Sequence, residues 1–268
     1  MLAAGGDAAV NRQTILGQGS TDVLLMGTLK QYQKVMRKLK GQPFGLKKVA
    51  ADLETILDAA STSPRQLRLA QGRSLKLGEG TLIMGILNVT PDSFSDGGRY
   101  YDTQQAVDHG LEMTEQGAHI IDVGGASSRP GAEIASEDEE LRRVVPVVEK
   151  LVQQGVLVSV DTFRARVAQE TLAAGAHLIN DIGGLKLDPN LLPVLAEYQA
   201  GVVLMHNRLQ INHGQPYADL VSDIIDELSQ SVDQALTAGL PRDCLMIDPG
   251  IGFGKDAAQN RYIIKHLQ

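Results

Sequence analysis

From Leu82 onward the chain repeats one pattern: a short apolar run, a polar or glycine-rich break, then an amphipathic stretch closed by glycine. The apolar runs are 82–87, His119–Val123, Leu157–Val160, His177–Ile179, Val202–Met205 and Leu245–Ile247. Their length and flanking breaks suit strands buried on both faces. Between them the apolar residues take helical spacing. The clearest case is 137–154, with Leu141, Val144, Val145, Val148, Leu151 and Val152 on one face. Ser136 and Glu139 give it a capping-box start, and Pro146 inside it predicts a lost hydrogen bond or a kink. Residues 219–238 repeat the spacing through Leu220, Ile224, Ile225, Leu228, Val232 and Leu236. Gly117, Gly155, Gly175, Gly201 and Gly239 follow the helical stretches and predict left-handed helix stops. Strand, helix, glycine stop and strand make a βαβ unit, and a succession of them predicts a parallel sheet.

The carboxyl ends of these strands carry the chemistry. In order they end in Asn88, in Asp122 with Gly124–Ala132, in Asp161-Thr162, in Asn180-Asp181, in Met205-His206-Asn207, and in Asp248-Pro249-Gly250. A doubly wound sheet gathers such residues near one switch point. Here they recur on every strand, which predicts an α/β fold of the TIM (β/α)8-barrel type. The sequence offers about six β/α units, so the barrel is expected to be incomplete, without strands seven and eight. Strands one and six would then be unpaired edges. A chain of that kind is expected to be poorly stable or aggregation-prone, with little or no activity, and an incomplete reading frame is the simplest account.

The first 66 residues read as a small α/β extension. Residues 1–20 show no period, Thr21–Thr28 reads as a strand, and Leu29–Leu39 and Gly45–Ala60 read as helices. Lys30, Lys34, Arg37 and Lys38 give the first helix a basic face, which suits solvent better than an anion. Thr62–Arg65 reads as a linker, and Leu67–Leu77 alternates around Gln71-Gly72 as a hairpin. The barrel domain is thus expected over 67–268. A net charge of −7 argues against a general nucleic-acid binder. The single cysteine, Cys244, excludes an internal disulfide and fits a reduced, cytoplasmic core residue. No stretch is long and apolar enough for a membrane span, and the start lacks the pattern of a signal peptide.

GILNVTPDSFSDGG (85–98), IIDVGGASSRPGA (120–132), SVDT (159–162), IND (179–181), MH (205–206) and DPGIGFGK (248–255) stand in the order of a known family. Together they resemble dihydropteroate synthase of the pterin-binding family. The resemblance covers roughly 67–268 and implies a transferase of folate biosynthesis. It would condense (7,8-dihydropterin-6-yl)methyl diphosphate with 4-aminobenzoate to dihydropteroate and diphosphate. Early loss of diphosphate would leave a pterin-stabilised cation for the arylamine to capture. The resemblance assigns pterin contacts to Asp161, Asn180 and Asp248, a Mg2+ position to Asn88, and the second-loop site to Ser128, Arg129 and Pro130. Among these, Asp161, Ser128 and Arg129 are the candidate catalytic residues. It also suggests a homodimer.

Each residue has a plainer reading. Asp161 and Asp248 taken singly serve equally well as caps of the next helix, Asn88 as a turn residue, and His206 as a satisfied structural histidine. The sequence departs from the family pattern at Ala126, where a glutamate is usual, and at Ser128, which keeps the hydroxyl of a usual threonine. Lys255 lies in the loop after the sixth strand and does not replace the lysine that the family carries after strand seven. A methyltetrahydrofolate methyltransferase and a non-catalytic pterin-binding or assembly protein are the alternatives, and the 85–98 loop and the SSRPG block favour the synthase.

Overall fold

The computed structural model describes residues 1–11, 22–60, 65–89, 99–126, 135–208 and 216–267. The chain divides into two compact units, Met1–Ser63 and Pro64–Gln268. In the first, β1 (Asp7–Val10) pairs antiparallel with β2 (Val23–Met26), followed by α1 (Leu29–Leu39) and α2 (Leu46–Ala60). Residues 1–20 give no sign of β1: Ala8 and Ala9 supply no apolar alternation, and the pairing with β2 creates the strand. Thr28 starts α1 with a reciprocal cap, its hydroxyl accepting the Gln31 N–H while the Gln31 side chain accepts the Thr28 N–H.

The second unit opens with the expected hairpin, β3 (Arg65–Arg68) and β4 (Ser74–Leu77), with Leu67 opposite Leu75. Strands and helices then alternate: β5 (Met84–Asn88), α3 (Arg99–Glu115), β6 (Ile120–Gly124), α4 (Glu137–Gln153), β7 (Val158–Asp161), α5 (Ala165–Ala173), β8 (Leu178–Asp181), α6 (Leu191–Tyr198), β9 (Gly201–Met205), α7 (Leu220–Thr237), β10 (Leu245–Asp248) and α8 (Ala257–Lys265). β5 to β10 are parallel and lie side by side in sequence order. Crossovers of one hand in a sheet that never reverses its order put the helices on one side. That is the winding of a barrel, and the unit carries six β/α units of the TIM type.

Strand residues alternate between the two faces. Leu87, Ile121, Val123, Val158, Val160, Ile179, Val202 and Leu204 share one core with Val107, Val144, Val148, Leu172, Leu195 and Ala235 of the helices. The opposite face begins apolar. Ile120, Leu178, Val203, Met84, Leu157 and Met246 pack there with Leu67, Leu69, Leu75 and Leu77, in and beside the hairpin. The hairpin therefore seals the amino-terminal end of the inner face and leaves its other end for polar groups. β5 and β10 are the outer strands of this sheet among the described residues, and Ile86 and Ile247 on them are 67% and 56% exposed. No helix among the described residues is long and apolar enough to cross a membrane.

Two local expectations change. Gly117, Gly155, Gly175 and Gly239 take positive φ as helix stops, but Gly201 does not. Gln199, at φ 49°, ends α6 instead. Gly201 opens β9, where a Cβ would lie 2.7 Å from Leu69 Cδ2 and 3.0 Å from the Arg68 carbonyl, so it makes room for the hairpin. α4 continues through Pro146, which has no N–H to donate to the Arg142 carbonyl, so the lost hydrogen bond expected there stands. Its capping box is half formed: Ser136 Oγ accepts the Glu139 N–H, while the Glu139 carboxylate turns to Arg142 and Arg143.

Candidate active site

Register brings the polar strand ends together. Asn88 stands opposite Gly124, Gly124 opposite Asp161, and Asp161 opposite Asn180. Residues opposite one another in register point to the same face. Gly124 leaves this rung bare: a Cβ there would lie 3.4 Å from Asn88 Oδ1 and 3.5 Å from Asp161 Oδ2. An amide and a carboxyl group thus converge over a glycine. β9 and β10 continue the rung, with Asn180 opposite Val203 and Val203 opposite Met246. Asp248, two residues beyond Met246, projects from the same face. Four expected site residues, Asn88, Asp161, Asn180 and Asp248, therefore share one face at the carboxyl ends of the strands. Ser128, Arg129 and Pro130, and positions 90–98 of the first signature, lie outside the described residues.

A buried layer beneath this rung orients it. Asp122, 5% exposed, accepts the Ser159 hydroxyl at 2.6 Å on Oδ1 and the Asn180 amide at 2.9 Å on Oδ2. With its nitrogen bound to Asp122, Asn180 turns its amide oxygen away from that carboxylate. The sequence names Asp122 among the strand-end groups without giving it a particular role, and it does not single out Ser159. Asp122 could have been found from its position two residues before Gly124, hence on the same face. Burial pushes the Asp122 pKa up against the pull of its two hydrogen bonds. Asp161 is pushed up to about 8, by burial first and then by the charges of Asp122, Glu140 and Asp181. At neutral pH its carboxyl group holds a proton. Asp181 points to the other face and accepts the Gly183 and Leu185 N–H groups at 2.7 and 2.6 Å, which shapes the loop after β8. Burial raises Asp181 to about 6 despite these bonds.

Neither Asp161 nor Asp248 caps the following helix. Asp188 accepts the Ala165 N–H of α5 at 2.8 Å. Asp256 caps α8 through Ala258 and Gln259, while Asp248 Oδ1 accepts the Gly250 N–H at 2.7 Å. The His206 ring is buried, with Nε2 3.3 Å from Glu227 Oε2 but off a hydrogen-bond line, and among the described residues neither ring nitrogen has a hydrogen-bond partner. Burial, then the Lys255 charge, lowers its pKa to about 4, so the ring is neutral. Among the described residues no group of three or more His, Cys, Asp or Glu could hold a metal ion.

A proton-bearing carboxyl, an amide and a second carboxylate on one polar rim, above an apolar floor, suit a flat ligand with hydrogen-bonding edges. The fold and rim define the class, and a family model described as pterin binding enzyme matches residues 84–268. The chain belongs to that pterin-binding enzyme family. Among its relatives is a dihydropteroate synthase of Bacillus subtilis, 50% identical over 196 residues, 73% of this chain and 67% of that protein. A probable bifunctional folylpolyglutamate synthase/dihydropteroate synthase of Haloferax volcanii is 43% identical over 271 residues, 97% of this chain. That match takes in most of Met1–Ser63 as well. This chain spans only 32% of the Haloferax protein's length. A solved dihydropteroate synthase of Xanthomonas albilineans with 4-aminobenzoic acid superposes with a TM-score of 0.70 at 44% identity, over 75% of this chain and 73% of that one.

Proposed function

We propose that the chain supplies the pterin side of a dihydropteroate synthase site, joining a dihydropterinylmethyl diphosphate to 4-aminobenzoate. The observation that carries the reading is the convergence of Asn88 and Asp161 over Gly124, with Asn180 in register beside them. A pterin presents a donor edge made of a ring N–H and an exocyclic amine. A carboxylate accepts both in parallel, and Asp248 is the group assigned to that edge. Asp161 and Asn180 meet the rest of the ring. Asp161 carries a proton at neutral pH, so it donates as well as accepts.

In the reaction, the bond from the methylene carbon to the diphosphate oxygen breaks and its electron pair leaves with diphosphate. The aminobenzoate nitrogen bonds to that carbon and gives up a proton. Asn88 is the position proposed for Mg2+. A neutral amide oxygen suits an ion that keeps several waters and takes other ligands from phosphate, and Asn88 Oδ1 faces the open rung. When bound, the ion would neutralise charge on the departing diphosphate. Ser128, Arg129 and Pro130 are proposed for the diphosphate and aminobenzoate side. The domain reading keeps residues 1–66 as an extension, and a cytoplasmic homodimer completes the proposal.

Calorimetric titration with a 7,8-dihydropterin, with and without Mg2+, tests the pocket. A folded sample that binds no pterin would sink it. Asp248→Asn removes a charged acceptor worth about 1.5–3 kcal/mol, so affinity should fall roughly tenfold to a hundredfold. Isotope from labelled 4-aminobenzoate appearing in dihydropteroate separates a synthase from a methyltransferase or a pterin-binding protein without activity.

A further inference from the structure

Lys255 does more than its place outside the family's lysine block suggests. Its ammonium group donates to the Gly250 carbonyl at 2.8 Å, the Phe253 carbonyl at 3.1 Å and the His206 carbonyl at 3.4 Å. Two of these acceptors belong to the loop after β10, and the third extends from the end of β9. The His206 N–H in turn donates to the Asp248 carbonyl at 2.9 Å, so the two strand ends are already paired there. Gly250 lies against them so tightly that a Cβ would fall 1.9 Å from the His206 oxygen and 3.3 Å from Lys255 Nζ. Asp248 points its side chain from the same loop base, with Oδ1 on the Gly250 N–H.

We propose that Lys255 is a positioning residue for pterin binding: by tying the Pro249–Lys255 loop to the end of β9 it fixes the direction of the Asp248 carboxylate. The inference rests on the pterin-site reading above. An ammonium has three N–H groups and meets three carbonyls. A neutral amine has two and leaves one carbonyl without a donor. Among the described residues, four charged or titratable groups face Lys255: Asp248 on β10, Glu227 on α7, Arg208 after β9, and His206 at the end of β9. Burial lowers the Lys255 pKa to about 8, against the pull of Asp248 and Glu227 and with a smaller push from Arg208.

The direction of the pH effect separates positioning from bulk stability. A lysine held below its ordinary pKa in the folded protein binds fewer protons there than in the unfolded chain. Its contribution therefore makes folding more favourable as pH rises from about 8 toward its unfolded value. Pterin affinity, which needs the ammonium, moves the other way and falls over the same range.

The test is calorimetry with a 7,8-dihydropterin lacking diphosphate at pH 7 and pH 9, on the unchanged chain, Lys255→Met, Asp161→Asn and Asp248→Asn, with urea unfolding of each. The unchanged chain should lose about tenfold in affinity between the two pH values. Lys255→Met should already be about tenfold weaker at pH 7, keep only the smaller fall that loss of the Asp161 proton brings by pH 9, and lose no stability to match. Lys255→Met binding like the unchanged chain, or keeping the same fall with pH, overturns the inference. If Lys255→Met does not fold, Asp161→Asn decides, since it removes the other group that titrates near pH 8, and an affinity of that variant flat from pH 7 to pH 9 is fatal. A normal Lys255→Met beside a weakened Asp248→Asn removes only this inference, whereas an unaffected Asp248→Asn removes the pocket reading beneath it.

Discussion

Replacing Asp161 by Asn should stabilise the ligand-free protein near neutral pH while weakening its hold on a pterin. The carboxyl group is raised from 3.8 to about 8 because burial, and then the charges of Asp122, Glu140 and Asp181, penalise its ionised form. In the unfolded chain it ionises freely. Between these two pKa values the folded protein binds the extra proton, so stability declines as pH rises from about 4 to about 8 and then levels off. A tenfold difference in proton affinity between the folded and unfolded chains is worth about 1.4 kcal/mol, which sets an upper bound of roughly 6 kcal/mol for the whole effect. An amide of the same shape has no proton to lose. The stability difference between Asp161→Asn and the unchanged chain should therefore be small at pH 4 and grow toward pH 8. Its slope should approach about 1.4 kcal/mol per pH unit. Urea unfolding of both proteins at pH 4, 5, 6, 7 and 8, without added metal, measures it. Groups common to both proteins cancel in the difference. Stabilities that run parallel across this range would refute the claim that Asp161 is desolvated and crowded by like charge. Asp122→Asn supplies the control, because removing the largest of those charges should lower the Asp161 pKa and end the slope at a lower pH.

Arg164→Met should strand Glu140, whose side chain is 3% exposed and paired with Arg164, at a cost of about 3–5 kcal/mol. Burial already raises the Glu140 pKa and loss of Arg164 raises it further, so the loss should be smaller at pH 5 than at pH 8, which unfolding at the two pH values checks. Gly250→Ala places a Cβ 1.9 Å from the His206 oxygen at a backbone φ of 69°, and should cost at least about 2 kcal/mol and abolish pterin binding. Leu195→Ala empties a fully buried position on the helix side of the sheet and should cost about 2–5 kcal/mol by urea unfolding. Its pterin affinity, measured where the protein remains folded, should be unchanged, since Leu195 faces away from the rim.

Much of the fold was open to a reading of periodicity because each element carries its own signal. Glycine stops, apolar runs and helical spacing are local, and they located β5 to β10 to within two residues at either end. β1 has no such signal. Its Asp-Ala-Ala-Val sequence becomes a strand only when Val23–Met26 lies beside it, and pairing at a distance leaves no trace in a window of ten residues. Gly201 was misread for the same reason. A glycine after a helix looks like a stop, whereas here it clears space for Leu69, more than a hundred residues earlier.

The site divides along the same line. Residue types at strand ends could be read one by one, but what makes them a site is which face they share and what holds them there. Asn180 and Asp181 are neighbours in sequence and point to opposite faces, one beside Asp161 and the other into its own loop. Asp122 gained its importance only from register, which sets it opposite Ser159 and one rung below Asp161. Lys255 looks like a surface loop residue until three carbonyls from two strand ends are found around its ammonium group. A motif therefore names the groups that can touch a ligand. The carboxylate beneath them and the ammonium behind them decide which oxygen faces it, and those supports are recognisable only once the sheet has put distant residues in register.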